Sequence, residues 1–288
     1  MKKIPLIIDT DFTKDDIVAI AMAAASDKFD IKAITCYGEW FVETVALRNS
    51  LGLDSAVCWG AMKPLFRQQN DADIYGNTEA DFDGNTTIGT KDEEYPWDKI
   101  YAEAVAADGE LEIVTLGPVT NIAQTILRYP KVKGLIKRIF CFAGSGYVGN
   151  VLPYSEYNAY TDPDALKILF DSGIDVVMCG LDATEYCVVP YEDIKDIHSV
   201  NEKVEEVLNI YRKSAEADIS SAAAMACYIN SDMVPTKEFY VAVENKSGMT
   251  MGQTVVDRLG KYKRASNIKV VVAADRNMFV NSLKSITV

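Results

Sequence analysis

Residues 4–25 of the chain read IPLIIDTDFTKDDIVAIAMAAA, and this stretch decides the fold class. Its apolar start, Ile4–Ile8, has the length and composition of a strand that is buried on both faces. Four carboxylates follow within eight residues, and a helix is then predicted from Asp15 to Ala25. A buried strand that leads through a polar turn into a helix indicates an α/β domain.

The same alternation of short apolar runs and segments of helical periodicity continues along the chain, as expected for a parallel sheet with crossover helices. No repeat, low-complexity tract or linker interrupts it, so we expect a single domain over residues 1–288, an open, mostly parallel sheet with flanking helices. The predicted strands are Ile4–Ile8, Ile31–Cys36, Ala56–Trp59, Leu111–Leu116, Arg138–Phe142, Asp175–Cys179, Phe239–Val243 and Ile268–Ala273. The predicted helices are Asp15–Ala25, Val42–Leu51, Trp97–Ala107, Val119–Leu127, Asp162–Phe170, Asn201–Tyr228 and Arg276–Lys284.

The amino-acid composition of the chain limits the classes of molecule that it is expected to bind. The 29 Lys and Arg residues stand against 42 Asp and Glu, a formal net charge of −13, and no basic run occurs. Nucleic acid and anionic membranes are therefore poor partners. The opening lysines and apolar run lack a signal-peptide cleavage site, so we expect a buried strand there. We also expect reduced core thiols in a cytoplasmic protein, since no CxxC pair joins the six cysteines Cys36, Cys58, Cys141, Cys179, Cys187 and Cys227.

The first strand-to-helix junction carries the strongest chemical signal, because ligands of open α/β sheets bind outside the carboxyl ends of the strands. Packing Asp9, Asp11, Asp15 and Asp16 into one turn is costly unless the carboxylates share a cation. Helix capping explains one or two of the four, not all. The junction therefore predicts a metal site, and its hard oxygen donors favour Ca²⁺ or Mg²⁺.

Other polar segments leave two readings open. The aromatic residues of segment 35–40 either stack on a flat base or cover the core. The acids and amides between Gly149 and Asp162 either recognise a polyol or form a turn-rich loop in which Asp162 caps the next helix. The segment Asn70–Tyr95 reads as a long surface loop, either a lid or a plain connection. The turn at Gly117-Pro118 is by itself a weak signal.

Taken together, these segments resemble the inosine–uridine nucleoside hydrolase family, in the family's order and over nearly the whole chain. The opening motif DTDPGxDD looks like residues 9–16, and GPLTNIA looks like residues 117–123. The family's GN, AEFN and DP segments are matched by Gly149-Asn150, residues 155–158 and Asp162-Pro163. The G-x-T-V-V-D strand is matched by residues 252–257.

This resemblance implies hydrolysis of the N-glycosidic bond of a ribonucleoside, or a related ribosyl compound, by a Ca²⁺-activated water. Asp11 would be a metal ligand and the general base, and Asp16 and the Leu116 carbonyl further ligands. The residues expected to bind the ribose hydroxyls are Asp15, Asn150, Glu156 and Asn158. We also expect a homo-oligomer, a dimer or a tetramer.

The chain departs from the family pattern at the site itself. Phe12-Thr13 replaces Pro-Gly, Ile74-Tyr75-Gly76 replaces the IHG loop, and Ser220-Ser221 replaces a late His-Asp pair that supplies a leaving-group contact and a metal carboxylate. The only histidine, His198, lies in a polar stretch and is assigned no catalytic role.

Glu39 stands where the family has Asn, so the site loses a carboxylate at Ser221 and gains one at Glu39. One hypothesis places Glu39 at the metal, its water or the substrate, with Asp218 as the rival donor. The alternative is that Glu39 points to solvent and the metal site is lost.

Two other functions compete with hydrolysis. A degenerate family member would bind a ribosyl ligand or a partner without turnover, which the Ser220-Ser221 substitution favours. A phosphotransferase of the haloacid dehalogenase type also has a DxD after its first strand. That class needs a second-motif Ser or Thr and a late Lys and has no use for the Asp15-Asp16 pair, so the ordered match to nucleoside hydrolases disfavours it.

Overall fold

The computed structural model describes residues 2–67, 89–92, 94–184, 191–213 and 219–287. The strands within them are β1 Ile4–Thr10, β2 Phe29–Cys36, β3 Ala56–Trp59, β4 Leu111–Thr115, β5 Ile136–Phe142, β6 Val176–Cys179, β7 Thr236–Phe239, β8 Val241–Val243, β9 Thr254–Val256 and β10 Ile268–Val271. An eight-stranded sheet has the strand order β3-β2-β1-β4-β5-β6-β10-β7, and all neighbours are parallel except β7, which runs antiparallel to β10. Strands β8 and β9 form a separate antiparallel pair.

Helices cover both faces of the sheet, so the predicted α/β class and mostly parallel sheet are confirmed. The helices are α1 Lys14–Ala25, α2 Phe41–Ser50, α3 Pro96–Ala106, α4 Thr120–Arg128, α5 Tyr157–Thr161, α6 Pro163–Phe170, α7 Leu181–Thr184, α8 Tyr191–Ile194, α9 Glu202–Lys213, α10 Ser220–Ile229 and α11 Arg276–Lys284. None of these helices, in the described part of the chain, combines the length and apolar character needed to cross a membrane.

Alternate residues of the buried strands feed two separate cores, as the two-residue period of a strand requires. Ile8 and Phe140 pack with α1, α9, α10 and α11 on one face. Ile7 and Ile139 pack with α3, α4 and α6 on the other. The central strands read as continuous apolar runs because both of their faces are covered.

Strand register brings the segments that follow the central strands to one edge. Asp9 lies opposite Thr115 of β4, and Thr10 lies opposite Cys36 of β2. Beyond the strand ends, the Leu116 amide donates to the Asp9 carbonyl at 2.8 Å, and the Tyr37 amide donates to the Thr10 carbonyl at 2.8 Å. The first, second and fourth strands therefore open onto a common site.

Two predicted elements are wrong in their extent. The predicted strand Phe239–Val243 is two strands, because β7 pairs with β10 in the main sheet whereas β8 pairs with β9 outside it. The predicted helix Asn201–Tyr228 is also interrupted: α9 is described up to Lys213, residues 214–218 lie outside the described residues, and α10 begins at Ser220 after a non-helical Ile219. Most of the predicted loop Asn70–Tyr95, namely residues 70–88 and 93, lies outside the described residues, and residues 90–92 form a short 3₁₀ turn.

Candidate functional site

Asp9 anchors the carboxyl edge of the sheet. Its carboxylate is fully buried and accepts hydrogen bonds from the Thr35 hydroxyl at 2.5 Å and the Asn121 amide at 2.8 Å. Asn121 also donates to the Cys36 carbonyl at 3.0 Å and accepts from the Ala61 amide at 2.8 Å. Burial raises the pKa of Asp9 to about 7, although the Thr35 and Asn121 hydrogen bonds oppose the rise. Sequence reasoning gave Asp9 no separate role, yet this network joins β1, β2 and α4.

The turn after β1 has a backbone that proline cannot adopt. Phe12 has φ of 61°, in the left-handed region, and its amide donates to the Thr10 hydroxyl at 2.9 Å. Proline lacks that N–H and holds φ near −65°. The Phe12 ring is buried and stacks on Trp40, with ring centroids 6.4 Å apart. The departure from the family's Pro-Gly therefore changes the local backbone as well as the side chain.

Asp16 is the most confined carboxylate of the turn. It is fully buried, its Oδ2 accepts from the Thr10 hydroxyl at 2.5 Å, and its Oδ1 has no hydrogen-bond partner among the described residues. Burial raises its pKa, and hydrogen bonds from Thr10, Ser221, Thr13 and Asp11 oppose the rise. An unpartnered buried carboxylate oxygen is costly unless a cation or a donor reaches it.

Asp11 lies beside Asp16 and against the turn that follows β4. Burial and the charges of Asp16 and Asp15 raise the pKa of Asp11 well above its ordinary value. A Cβ atom placed on Gly117 would lie 2.8 Å from the Asp11 backbone nitrogen, so only glycine permits this approach. The same turn therefore carries Asp11, Asp16 and the carbonyl group of Leu116, the residue that precedes Gly117.

Asp15 connects the start of α1 to the start of α10. Its Oδ1 accepts from the Thr13 hydroxyl at 2.7 Å, and its Oδ2 accepts from the Ser221 backbone amide at 2.7 Å. Ser221, which the motif match predicts to replace a metal carboxylate, is buried next to Asp15 and Asp16.

Glu156 and Asn158 bind the backbone around the site. The Glu156 carboxylate caps α5 and accepts from the amides of Gly144, Asn158 and Ala159 at 2.7, 2.8 and 3.0 Å. The Asn158 side-chain amide donates to the Leu116 carbonyl at 2.7 Å and to the Phe142 carbonyl at 3.0 Å. Both residues therefore hold the ends of β4 and β5 in place, a role that the sequence did not reveal.

Two predicted site residues are exposed. Asn150 accepts from the Tyr157 amide at 2.9 Å, and Glu39 lies in the bend after β2. The exposure of Glu39 favours the reading in which it points to solvent. Its rival Asp218 and the loop residues Ile74-Tyr75-Gly76 lie outside the described residues.

The loop acid Asp162 is a helix cap. Its Oδ1 accepts from the Ala165 amide at 3.0 Å, and its Oδ2 accepts from the Thr120 hydroxyl at 2.7 Å and the Leu65 amide at 2.9 Å. The capping interpretation of this residue is therefore confirmed.

The donors at this edge suit a hard cation with an incomplete protein shell. Among the described residues, no three His, Cys, Asp or Glu side chains converge on a common point. Asp11, Asp16 and the Leu116 carbonyl still offer oxygen donors, and the buried Oδ1 of Asp16, which has no hydrogen-bond partner among the described residues, is open to a cation or a proton donor. Calcium takes six to eight oxygen ligands, some of them water, so this set fits part of a calcium shell.

This chain matches known nucleoside hydrolases along nearly its whole length. The model of the family described as inosine-uridine preferring nucleoside hydrolase matches residues 6–281. The pyrimidine-specific ribonucleoside hydrolase RihA of Photobacterium profundum is 32% identical, covering 97% of this chain and 97% of its own. RihA of Shewanella sp. (strain MR-7) is 30% identical, covering 97% of this chain and 94% of its own.

Solved structures share the fold. A plant nucleoside hydrolase, PpNRh1, has a TM-score of 0.85 at 23% identity, with 99% of each chain covered. The purine-preferring ribonucleoside hydrolase from Gardnerella vaginalis has a TM-score of 0.85 at 24% identity, with 98% of each chain covered. The family model and the full-length relatives together establish that the chain belongs to the inosine-uridine preferring nucleoside hydrolases, a family of N-ribohydrolase enzymes.

Proposed function

We propose that this protein hydrolyses the N-glycosidic bond of ribonucleosides and uses Ca²⁺ as its cofactor. The observation that carries the proposal is the unpartnered buried Oδ1 of Asp16 next to Asp11, at the turn where β1 and β4 end. Two buried carboxylates in contact are stable together only if a proton or a cation lies between them.

Asp11, Asp16 and the Leu116 carbonyl are the proposed cation ligands. A bound divalent cation lowers the pKa of a coordinated water and so supplies a nucleophile at neutral pH. The Asp11 carboxylate then accepts the proton of the attacking water.

Asp15, Asn150, Glu156 and Asn158 are the proposed contacts of the ribose hydroxyls. Asp15 is oriented by two donors, and Glu156 and Asn158 keep their segment against the strand ends. Carboxylates around the ribose also stabilise the positive charge that develops on it as the glycosidic bond breaks. Asn150 is exposed, as Glu39 is, but it accepts a hydrogen bond from the amide of Tyr157, the residue after Glu156; Glu39 is left out of the set.

The second candidate is a binding protein that has lost turnover. The serine hydroxyl at Ser221 cannot replace a metal carboxylate, and Ser220 cannot protonate a departing base. Such a protein would still hold ribose through Asp15 and its neighbours.

One assay separates the two. The protein is incubated with Ca²⁺ and a panel of uridine, cytidine and inosine, and reducing sugar is measured. Because the matched full-length relatives are named pyrimidine-specific, uridine and cytidine are the first substrates to test. We expect sugar release that EDTA abolishes and that Asp11→Asn lowers by roughly 10²–10⁴-fold, the range for loss of a general base. Ribose binding without release would establish the binding protein instead.

A further inference from the structure

Thr13 sits at the N-cap of α1 but does not cap the helix. An N-cap threonine normally accepts a hydrogen bond from a backbone amide of the first turn. The Thr13 side chain makes no such bond. Its hydroxyl donates instead to Oδ1 of Asp15, at 2.7 Å.

The other oxygen of Asp15 is bound from a distant part of the chain. Helix α10 begins after Ile219, whose side chain makes no capping hydrogen bond, so the first-turn amides of α10 need an acceptor from elsewhere. The Ser221 amide finds that acceptor in Oδ2 of Asp15, at 2.7 Å. Asp15 therefore lies between two helix N-termini, and both favour a negative charge.

Of the two groups that donate to Asp15, one belongs to the backbone and the other to a side chain. The Ser221 amide is backbone and remains whatever side chain stands at that position. The Thr13 hydroxyl is a side chain, in a position where the family motif has glycine and can donate nothing. Without it, the Asp15 carboxylate loses the hydrogen bond at Oδ1, beside the repelling charges of Asp11 and Asp16.

We propose that Thr13 is a positioning residue that fixes the rotation of the Asp15 carboxylate for ribose binding. The proposal rests on the ribonucleoside hydrolase function proposed above, since ribose is what Asp15 binds there. Thr13 itself does not touch the substrate and acts through Asp15.

The test compares Thr13→Val, which keeps the shape and removes the donor, with Thr13→Ser, which keeps the donor. We expect Thr13→Val to raise KM for uridine roughly tenfold, the scale of one hydrogen bond to a charged group, with kcat within about threefold of wild type. Thr13→Ser should restore the wild-type KM. In an Asp15→Ala background, which removes the acceptor, Thr13→Val should have no additional effect on KM, because the two residues act as one unit.

Each outcome decides a separate question. Equal KM values for Thr13→Val and Thr13→Ser overturn the proposal, as does a Thr13→Val variant whose thermal unfolding midpoint falls and whose kcat and KM both change. If the wild type releases no sugar from any nucleoside, the hydrolase proposal fails, and calorimetric binding of ribose tests Thr13 by itself. Weakened ribose binding in Thr13→Val that Thr13→Ser restores supports the positioning role, and a wild type that binds no ribose overturns it.

Discussion

Hydroxyl groups surround the two carboxylates at the start of α1. Thr10, Ser221 and Thr13 hydrogen-bond to Asp16, and the Thr13 hydroxyl donates to Asp15. These neutral donors stabilise the carboxylates without cancelling their charge, so a proton or a cation is still needed between them. At Ser221, a single substitution can replace a neutral hydroxyl beside Asp16 with a charged group.

Ser221→Asp is predicted to strengthen Ca²⁺ binding. The change adds a third carboxylate beside Asp16, and the number of charged ligands strongly affects calcium affinity. We expect a dissociation constant at least about tenfold lower by calorimetry, and a lower unfolding temperature without metal because like charges then crowd a buried site. Ser221→Asn is the control, since it adds similar bulk without charge. Equal affinities in the two variants would show that residue 221 does not face the cation.

The carboxylates of the site can be recognised in the sequence, but the residues that hydrogen-bond to them cannot. The run of acids after an apolar strand identifies Asp11, Asp15 and Asp16, because charge density is visible in one segment. The hydrogen bonds that orient them join residues far apart in the chain, as Asp15 does with Ser221. Thr13 drew attention only as a departure from a family motif, because its hydroxyl matters through the rotamer that it adopts.

At the scale of elements, a buried ion pair fastens α2 to the edge strand β3. Arg48 and Asp92 are almost fully buried, with the guanidinium nitrogen 2.9 Å from the carboxylate. Arg48 also donates to the Ser55 carbonyl at 2.5 Å, and Asp92 accepts from the Val57 amide at 2.8 Å. Burial by itself would raise the pKa of Asp92, but Arg48 and the amides of Val57 and Gly89 outweigh it and hold the pKa below its ordinary value.

Asp92→Asn is predicted to cost about 3 kcal/mol of unfolding free energy at neutral pH, because it leaves Arg48 buried without its counter-ion. A carboxylate whose pKa is lowered on folding stabilises the fold above its unfolded-state pKa and loses that effect as pH falls through the folded value. The difference between wild type and variant should therefore shrink below the ordinary pKa of 3.8.

Urea unfolding over a series of pH values measures this difference. Lys91→Gln is the control, since Lys91 pairs at 2.7 Å with the fully exposed Asp54 and should change stability little. A constant gap between Asp92→Asn and wild type down to the most acid pH would refute the assignment.

The spacing of apolar residues predicted whether a segment forms a helix or a strand. It did not predict where a helix or strand is interrupted. The exact match of β3, Ala56–Trp59, reflects a short apolar run between polar residues. The helical pattern over Asn201–Tyr228 hid the non-helical Ile219, because apolar spacing continues on both sides of it. The strand Phe239–Val243 divides at Tyr240 because its two halves pair with different partners, which is a tertiary choice.

For the whole molecule, calcium is predicted to couple the site to global stability. Any ligand that binds only the folded state stabilises it, by about 2.7 kcal/mol when present at a hundredfold excess over its dissociation constant. In a chain of this size that corresponds to a rise of roughly 4–5 °C in the unfolding temperature. Scanning calorimetry with EDTA and with Ca²⁺ measures the shift. Asp16→Asn should abolish most of it, and an unchanged shift in that variant would place the cation elsewhere.

The final prediction concerns how the intact enzyme expels the base. Ser220 stands where the family has a histidine that contacts the leaving group, and the only histidine of the chain, His198, lies next to Glu205 before α9, with Nδ1 to Oε1 at 3.1 Å. General acid catalysis is worth about 10²–10⁴-fold, so its absence should penalise nucleosides whose base needs a proton to leave. The leaving group of a nitrophenyl riboside is nitrophenolate, a stable anion that needs no proton to depart. This substrate should therefore escape that penalty. We therefore expect its kcat/KM to exceed that for inosine by at least about a hundredfold. Ser220→His provides the matched test, because a restored acid should raise the rate on inosine and leave the nitrophenyl riboside unchanged. Similar wild-type rates on both substrates would instead require an acid that the described part of the chain does not reveal.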